Sequence, residues 1–294
     1  MTHAAITAML NSYSCQSDQD CVNALREIMQ GVALLALSRM NFFNHAAFYG
    51  GTALRILYGL NRGSEDMDFS LLAANDDFSL SSYGDGLETE FASFGLRAVF
   101  AEKVKVVRTT IQSGFLKGNT QAQMLSIGLD SALAKQINAH SEIKIKIEID
   151  VQPPPDFDTE IKYVYQPLPF AVRSYALPSL LAGKLHAVLF RSWTSRIKGR
   201  DWYDLAWYAG SHPEYNLAHL ESRSRQSGNY TGRERLSDQE VHSLLRKRLA
   251  ELDIAAIIAD VRPFLRDPRE LDLWSKDFFE DVFRRIVPDS AHQA

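Results

Sequence analysis

The sequence predicts an α+β protein, in which a mixed β-sheet flanked by helices is followed by a mainly helical C-terminal domain. Residues 143–151 alternate isoleucine with charged side chains, and this period of two is that of a strand with one buried face. Residues 46–72 carry the pattern of a strand, a turn, a short helix and a second strand. Pro178 begins a region of helical spacing, because its fixed φ suits the first turn of a helix. We expect one domain over residues 1–176 and a second over residues 177–294.

The remaining elements follow from periodicity and from residues that end helices. Apolar residues between Asp20 and Met40 recur at helical spacing, so this segment is predicted to be an amphipathic helix, and we assign it no chemistry. A helix over residues 86–94 ends at Gly95, and two strands lie between Leu96 and Phe115. Another strand is predicted between residues 163 and 177, and further helices from Pro178, from about residue 200, and over residues 216–225, 238–252 and 270–286. Residues 117–140 carry no clear pattern.

Composition places the chain among ordinary globular proteins. The 294 residues are 46% hydrophobic and 23% charged, and the net charge is −4. The sequence shows no run of about 20 apolar residues and no basic segment before an apolar one, so we expect neither a membrane span nor a secretory signal. Cys15 and Cys21 match neither a redox pair nor a zinc motif, and two unrelated thiols are favoured over a disulfide. We expect a cytoplasmic protein.

The turn after the first strand has the features of an anion site. Gly50 and Gly51 allow a tight turn and the close approach of a ligand. Thr52 is predicted to be the N-cap of a helix over residues 53–58, which Gly59 ends. Backbone N–H groups at such a helix N-terminus bind phosphate oxygens, so Gly50, Gly51 and Thr52 are predicted to bind the phosphates of a nucleotide.

A pair of carboxylates follows this helix. Asp66 and Asp68 alternate with Met67 and Phe69, so on a strand both carboxylates lie on one face while the apolar side chains enter the core. Two such carboxylates suit a pair of Mg²⁺ ions about 4 Å apart, which holds the attacking and leaving oxygens of a phosphoryl or nucleotidyl transfer. An isolated Asp-x-Asp is more often a pair of solvated strand residues, but its combination with the glycine turn favours the catalytic interpretation.

Arg62 and Ser64 lie between the turn and the carboxylates and add a charged donor and a hydroxyl for a nucleotide. Together these residues resemble the first motif of the DNA polymerase β nucleotidyltransferase superfamily and, more closely, of the AbiEii/MenT-type toxin nucleotidyltransferases. The residues that carry the resemblance are Gly50, Gly51, Thr52, Ala53, Leu54, Arg62, Ser64, Asp66, Asp68 and Phe69. The resemblance covers most of residues 20–210.

The resemblance implies a Mg²⁺-dependent enzyme that transfers a nucleotide from an NTP to an RNA acceptor, with the tRNA 3′ end as the expected acceptor. It also implies growth arrest as the outcome and a cognate antitoxin as the partner. In the superfamily a third metal-binding carboxylate often comes from a later strand. Asp150 is favoured here, and Glu148, which fits the same pattern, is the alternative.

A second set of residues resembles the later half of the toxin pattern, in which a helical lysine precedes a basic loop and an Arg-Asp-x-x-Asp-Leu segment. The matching residues are Lys184, Arg200, Asp201, Asp204 and Leu205. A lysine near the metal ions would hold the β- and γ-phosphates, and Asp201 would orient that lysine or accept a proton from the acceptor hydroxyl. Alternatively, Asp201 and Asp204 favour a helix N-terminus through its dipole, and Lys184 is a surface lysine.

The region after Gly183 is basic and rich in aromatic residues. Residues 183–250 contain 12 Lys/Arg and 7 Asp/Glu, a local charge of +5. Arg191, Arg196, Lys198 and Arg200 are candidate contacts for the phosphates of an RNA acceptor, which would stack on the nearby aromatic residues and be bound along one wall of a cleft. A solvated charged face over an aromatic core is an equally good interpretation. Lys103, Lys105 and Arg108 are weaker candidates for triphosphate contacts.

Two other functions remain open at this point. A small-molecule transferase of the aminoglycoside type would use the same core, and a catalytically silent binding module would lack any product that depends on NTP and Mg²⁺. Asp66, Asp68, Ser64 and Lys184 argue against the silent module.

Overall fold

The computed structural model describes residues 3–13, 15, 17–103, 109–127, 138–191 and 198–290. The chain forms two compact units. The first comprises residues 1–57, 65–153 and 161–174, and the second comprises residues 58–64, 154–160 and 175–294. Two short segments that precede residue 176, 58–64 and 154–160, thus belong to the second unit.

The first unit is built on a seven-stranded mixed sheet, as the alternating sequence segments predict. The strand order is β3-β4-β5-β2-β1-β7-β6. The pairs β1–β2, β3–β4 and β4–β5 are antiparallel, whereas β2–β5 and β1–β7 are parallel. The strands are β1 Ala46–Tyr49, β2 Met67–Leu71, β3 Val99–Glu102, β4 Ile111–Asn119, β5 Glu142–Asp150, β6 Thr159–Val164 and β7 Phe170–Tyr175.

Alternation along the central strands separates a core face from a polar face. Met67 and Phe69 of β2 are fully buried, and so are Ile145, Ile147 and Ile149 of β5. Phe69 stacks on Phe48 of β1 with ring centroids 5.0 Å apart. The charged residues between them are exposed or half-buried, so the polar face of the sheet carries the carboxylates.

A 22-residue helix, Asp18–Arg39, runs through the core of this unit. Ser17 caps it and Asp20 completes a capping box, which satisfies its first backbone donors. Among the described residues it is the one helix whose length and composition would suit a membrane span, but 72% of its apolar window is buried inside the protein. That burial is the property of a core helix. The other helices of the unit are Ala4–Asn11, Gly50–Tyr58, Gly84–Ser93 and Thr120–Ser126.

The second unit is mainly helical, as predicted. Pro178 lies in the first turn of its first helix, and the Asp238–Ala250 helix begins with a capping box formed by Ser237 and Glu240. Glu214–Tyr215 and Val287–Pro288 form a short parallel pair of strands. The helices are Leu177–Phe190, Gly199–Ser211, Leu217–Gln226, Asp238–Ala250, Ile254–Val261 and Lys276–Arg285.

Several boundaries differ from those predicted. The helix after β1 begins at Gly50 rather than after Thr52, so Thr52 lies inside its first turn and is not its N-cap. The Thr52 hydroxyl donates to the Asp66 carbonyl oxygen. The Ile254–Val261 helix was not predicted. In the unassigned stretch 117–140, β4 continues to Asn119 and a helix follows over Thr120–Ser126. Lys105, Arg108 and Arg196 lie outside the described residues.

Candidate active site

Asp66 and Asp68 lie at the start of β2, on the polar face of the sheet. Asp66 is exposed and directly precedes the strand, whereas Asp68 is half-buried within it. The side chains on either side of Asp68, those of Met67 and Phe69, are fully buried in the core. Because side chains alternate along a strand, the Asp68 carboxylate lies on the opposite face of the sheet. Two carboxylates thus lie at the beginning of β2, Asp68 on the strand and Asp66 directly before it.

The register of β2 with β5 distinguishes the two candidates for a third carboxylate. Asp68 is paired with Glu148, and Ser70 with Asp150. Neighbouring strands lie about 4.8 Å apart, so Glu148 is the direct lateral neighbour of Asp68 on the same face. Glu148 accepts a hydrogen bond from the Ser113 hydroxyl at 3.1 Å and forms a 2.7 Å ion pair with Lys146. The Asp150 carboxylate accepts a hydrogen bond from the Gln152 backbone at 3.0 Å.

The helix after β1 begins with a glycine, Gly50, for two structural reasons. Its φ is +81°, which favours glycine, and a Cβ there would collide with the Asp68 carboxylate and lie 3.1 Å from Asp68 Cβ. The missing side chain therefore makes room for the carboxylate itself, in addition to any ligand. Gly51 and Thr52 are buried in the first turn of the helix.

The described residues contain no ready-made group of three His, Cys, Asp or Glu side chains arranged around a metal ion. Mg²⁺ does not require one, since it is usually held by one or two carboxylates together with water and the phosphates of a substrate. Asp68 and Glu148, side by side on the polar face with a glycine in front of Asp68, offer the oxygen ligands that such an ion prefers. The residues present therefore fit a divalent cation shared with a nucleotide.

The second unit contains a buried cluster of charges around Lys184. The Lys184 ammonium lies 2.7 Å from a carboxylate oxygen of Asp204 and 3.1 Å from one of Asp201. Arg62 donates two parallel hydrogen bonds of 2.6 Å to Asp204. Asp204 is fully buried, and Arg62 is 2% exposed. This geometry makes Asp204 the centre of the cluster and gives Arg62 a structural partner.

Electrostatics keep all three central groups charged. Burial alone would lower the pKa of Lys184, but the carboxylates of Asp204 and Asp201 raise it above its ordinary value. Burial would raise the pKa of Asp204, but Arg62 and Lys184 hold it below its ordinary value. The pKa of Arg62 is raised by Asp204 against the effect of burial. The surroundings of Lys184 thus favour its charged form.

The predicted acceptor residues fall into different environments. Arg191 is 47% exposed at its side chain and donates a 2.6 Å hydrogen bond to the second oxygen of Asp201. The Arg200 guanidinium lies over the Phe264 ring, 4.2 Å from its centroid. Lys198 directly precedes the Gly199–Ser211 helix.

Ser64, which was predicted to contact the nucleotide, is half-buried in the second unit.

Three of the aromatic residues in the basic region belong to the core, whereas Trp207 is half-buried and Trp193 lies outside the described residues. Trp202 and Tyr208 are fully buried and Tyr203 is 5% exposed. Trp202 makes an edge contact with Phe279, with ring centroids 5.1 Å apart. For these residues, the interpretation as an aromatic core under a charged face is the correct one.

Asp204 matches the sequence motif, but the only role predicted for it was to favour a helix N-terminus. The spacing indicates that Asp201 and Asp204 act together, since residues three apart share one face of a helix, here Gly199–Ser211. Both are directed at the neighbouring Leu177–Phe190 helix, where Lys184 lies. The partnership with Arg62, 142 positions away in the chain, had no local signal.

Comparison with solved structures finds two similar chains. A crystal structure of JHP933 from Helicobacter pylori has a TM-score of 0.52 and 17% sequence identity, and the match covers 88% of this chain and 89% of that chain. A candidate nucleotidyltransferase from H. pylori is 17% identical over 89% of this chain and 91% of its own, with a TM-score of 0.47. The first of these likenesses shows a shared fold.

No curated protein matches the sequence. The family model described as "Nucleotidyl transferase AbiEii toxin, Type IV TA system" matches residues 32–284, a span that contains every site residue discussed above. The chain therefore belongs to the AbiEii family, the nucleotidyltransferase toxins of type IV toxin–antitoxin systems.

Proposed function

We propose that this nucleotidyltransferase uses Mg²⁺ to transfer a nucleotide from an NTP to the 3′ end of an RNA, with tRNA as the acceptor. The observation that carries the metal-dependent chemistry is the pairing of Asp68 with Glu148 on adjacent strands, beside a glycine that leaves space for the carboxylate. In this proposal Asp66 and Asp68 are the principal metal ligands. Glu148 is the third carboxylate, since the register favours it over Asp150.

The reaction is an in-line displacement. The 3′ hydroxyl oxygen forms a bond to the α-phosphorus as the bond from that phosphorus to the pyrophosphate oxygen breaks. The hydroxyl proton passes to solvent, and pyrophosphate leaves. Bound Mg²⁺ would supply charge stabilisation for the phosphate oxygens. The protein contributes the fixed carboxylates and the backbone N–H groups after Gly50.

Lys184 is proposed to bind the β- and γ-phosphates and to offset the charge of the leaving pyrophosphate. Asp201 and Asp204 keep its ammonium charged and restrict its direction, which supports an orienting role for both carboxylates. Asp201 also pairs with Arg191. With two cations already bound to Asp201, orienting Lys184 is a better role for it than accepting a proton. Arg62, bound to Asp204, supports the same arrangement instead of contacting the nucleotide.

The RNA acceptor is proposed from the family resemblance and from the basic residues that follow Lys184 in the sequence. Arg191, Arg196, Lys198 and Arg200 are the proposed phosphate contacts. We place the activity in the cytoplasm, where RNA and NTPs are available, with an antitoxin as the regulating partner. A small-molecule acceptor is the second candidate, because the same core chemistry serves a hydroxyl on either class of molecule.

The test uses NTPs labelled at the α-phosphate, offered with total RNA or with aminoglycosides. Wild-type protein with Mg²⁺ is expected to label an RNA of tRNA size, and Asp68→Asn, which removes charge but keeps shape, is expected to lower labelling at least 100-fold. Labelled aminoglycoside without labelled RNA would favour the small-molecule transferase. Failure to label any acceptor with any NTP would overturn the proposal.

A further inference from the structure

A buried glutamine interrupts the apolar core helix of the first unit. The Asp18–Arg39 helix is buried almost without interruption from Ala24 to Leu37, and Gln30 is 1% exposed within that stretch. A buried amide without hydrogen bonds destabilises the fold, so the presence of Gln30 in this helix calls for a partner. The Gln30 amide nitrogen donates to the backbone carbonyl oxygen of Glu65 at 3.2 Å.

A second buried side chain holds the next carbonyl. Thr52, from the Gly50–Tyr58 helix, is fully buried, and its hydroxyl donates to the carbonyl oxygen of Asp66. Two helices of the first unit therefore bind two consecutive carbonyl groups. Both carbonyls lie immediately before Met67, where β2 begins.

The consequence follows from the planarity of the peptide bond. The Glu65 carbonyl belongs to the peptide plane before the Asp66 Cα atom, and the Asp66 carbonyl belongs to the plane after it. Hydrogen bonds to both planes therefore restrict φ and ψ of Asp66, and they restrict the direction of its Cα–Cβ bond in the same way. Asp66 is exposed and directly precedes the strand, so β-sheet pairing alone does not fix it.

The salt bridge between Arg26 and Glu65 restrains this segment less than the two hydrogen bonds to its carbonyl oxygens do. Arg26 lies 3.9 Å from the Glu65 carboxylate, and their side chains are 17% and 44% exposed. Exposed ion pairs of this length contribute little to order, whereas hydrogen bonds to buried groups are shielded from water.

We propose that Gln30 and Thr52 are positioning residues that fix the Asp66 backbone and so aim its carboxylate at the divalent cation. The inference rests on the proposed metal-dependent function. It gives the core helix a role in the site, through Gln30, and assigns the Thr52 hydroxyl to the protein backbone instead of the nucleotide.

The experiment compares Gln30→Met and Thr52→Val, which remove the donors at nearly constant volume, with Thr52→Ser, which keeps the hydroxyl. Gln123→Met is the matched control, because Gln123 is also 1% exposed and its amide also donates to a backbone carbonyl, that of Arg97. Mn²⁺ binding is measured by electron paramagnetic resonance without NTP. Hydrogen exchange of a peptide spanning residues 64–71 is measured by mass spectrometry without metal.

Gln30→Met and Thr52→Val are expected to weaken Mn²⁺ binding about 10-fold, the lower end of the usual effect of outer-shell ligand support, and to speed exchange in the 64–71 peptide. Thr52→Ser and Gln123→Met are expected to match wild type in both measurements. Unchanged exchange in Gln30→Met and Thr52→Val, or equal changes in Gln123→Met, would overturn the inference. Wild-type protein that binds no Mn²⁺, while the exchange differences remain, would count against the proposed metal site and still support the fixed backbone.

Discussion

Glu148 and Asp150 are alike in sequence but differ in what lies opposite each of them on β2. Both occupy the polar face of β5, and sequence alternation alone predicted that much. The register then pairs Glu148 with Asp68 and Asp150 with Ser70. Register depends on which strand is the neighbour and on how the two strands align, and neither property is visible in a single sequence. The first preference for Asp150 stays a prediction, and the geometry favours Glu148.

Neutral isosteres separate the two candidates. Glu148→Gln is expected to raise the Mg²⁺ concentration that half-saturates nucleotidyl transfer by about 10-fold or more, because it removes a negative oxygen ligand next to Asp68. Asp150→Asn is expected to change it less than threefold. The measurement is a Mg²⁺ titration of NTP turnover, with unfolding midpoints as a control for stability. The opposite order of effects would assign the third carboxylate to Asp150.

At the scale of elements, the Arg62–Asp204 pair ties residues 58–64 to the Gly199–Ser211 helix within the second unit. Removing one partner of a buried ion pair leaves an uncompensated charge and typically costs 3–5 kcal/mol. Arg62→Met is expected to lower the free energy of unfolding by about 3 kcal/mol, since Lys184 still compensates part of the Asp204 charge. Denaturant unfolding at pH 7 measures the loss.

Arg269→Met is the matched control, because Arg269 pairs with Asp267 at 2.5 Å while both side chains are largely exposed. Its expected cost is below about 1 kcal/mol. The folded-state pKa of Asp204 is lowered, so the contribution of the pair is present above the ordinary carboxylate pKa and is lost as the pH falls through the folded-state value. The difference between wild type and Arg62→Met should therefore shrink in strong acid. An equal cost for both variants at pH 7 would contradict the central role of the buried pair.

Elements with a clear local signal were predictable from the sequence, and the others were not. The helix from Pro178 and the strands with strict alternation have boundaries close to those predicted. The Ile254–Val261 helix has apolar residues on several faces yet buries only Ile257 and Val261, so its sequence shows no single apolar stripe. This helix packs closely against Gly199, at the start of the Gly199–Ser211 helix, where a Cβ would lie 3.0 Å from the Ile257 carbonyl carbon. Such contacts between distant segments have no local signature.

For the binding of an RNA acceptor, the distribution of charge along the chain matters more than the net charge of the protein. The protein carries −4 overall, whereas residues 183–250 carry +5. A negatively charged protein that acts on RNA must therefore bind it through a restricted basic region, and each phosphate bound there releases condensed cations. Binding of an aminoglycoside, which is itself a cation, would not follow this rule. Salt dependence thus separates the two proposed acceptors.

If the acceptor is RNA, its KM should rise steeply with salt, with a slope of about 0.7 logarithmic units for each phosphate contact to a single strand. Replacing Arg196 and Lys198 together by alanine should reduce that slope by about 1.4, since two contacts are lost, while NTP binding stays close to wild type. Arg233→Ala with Arg235→Ala is the control, because both arginines are exposed in the same basic segment and neither is assigned to the acceptor. Equal reductions in the two double variants would show that RNA is held by diffuse charge and not by the assigned pair. A reaction that is insensitive to salt would instead favour the small-molecule acceptor, because a single hydroxylated ligand has no chain of phosphates from which to release cations.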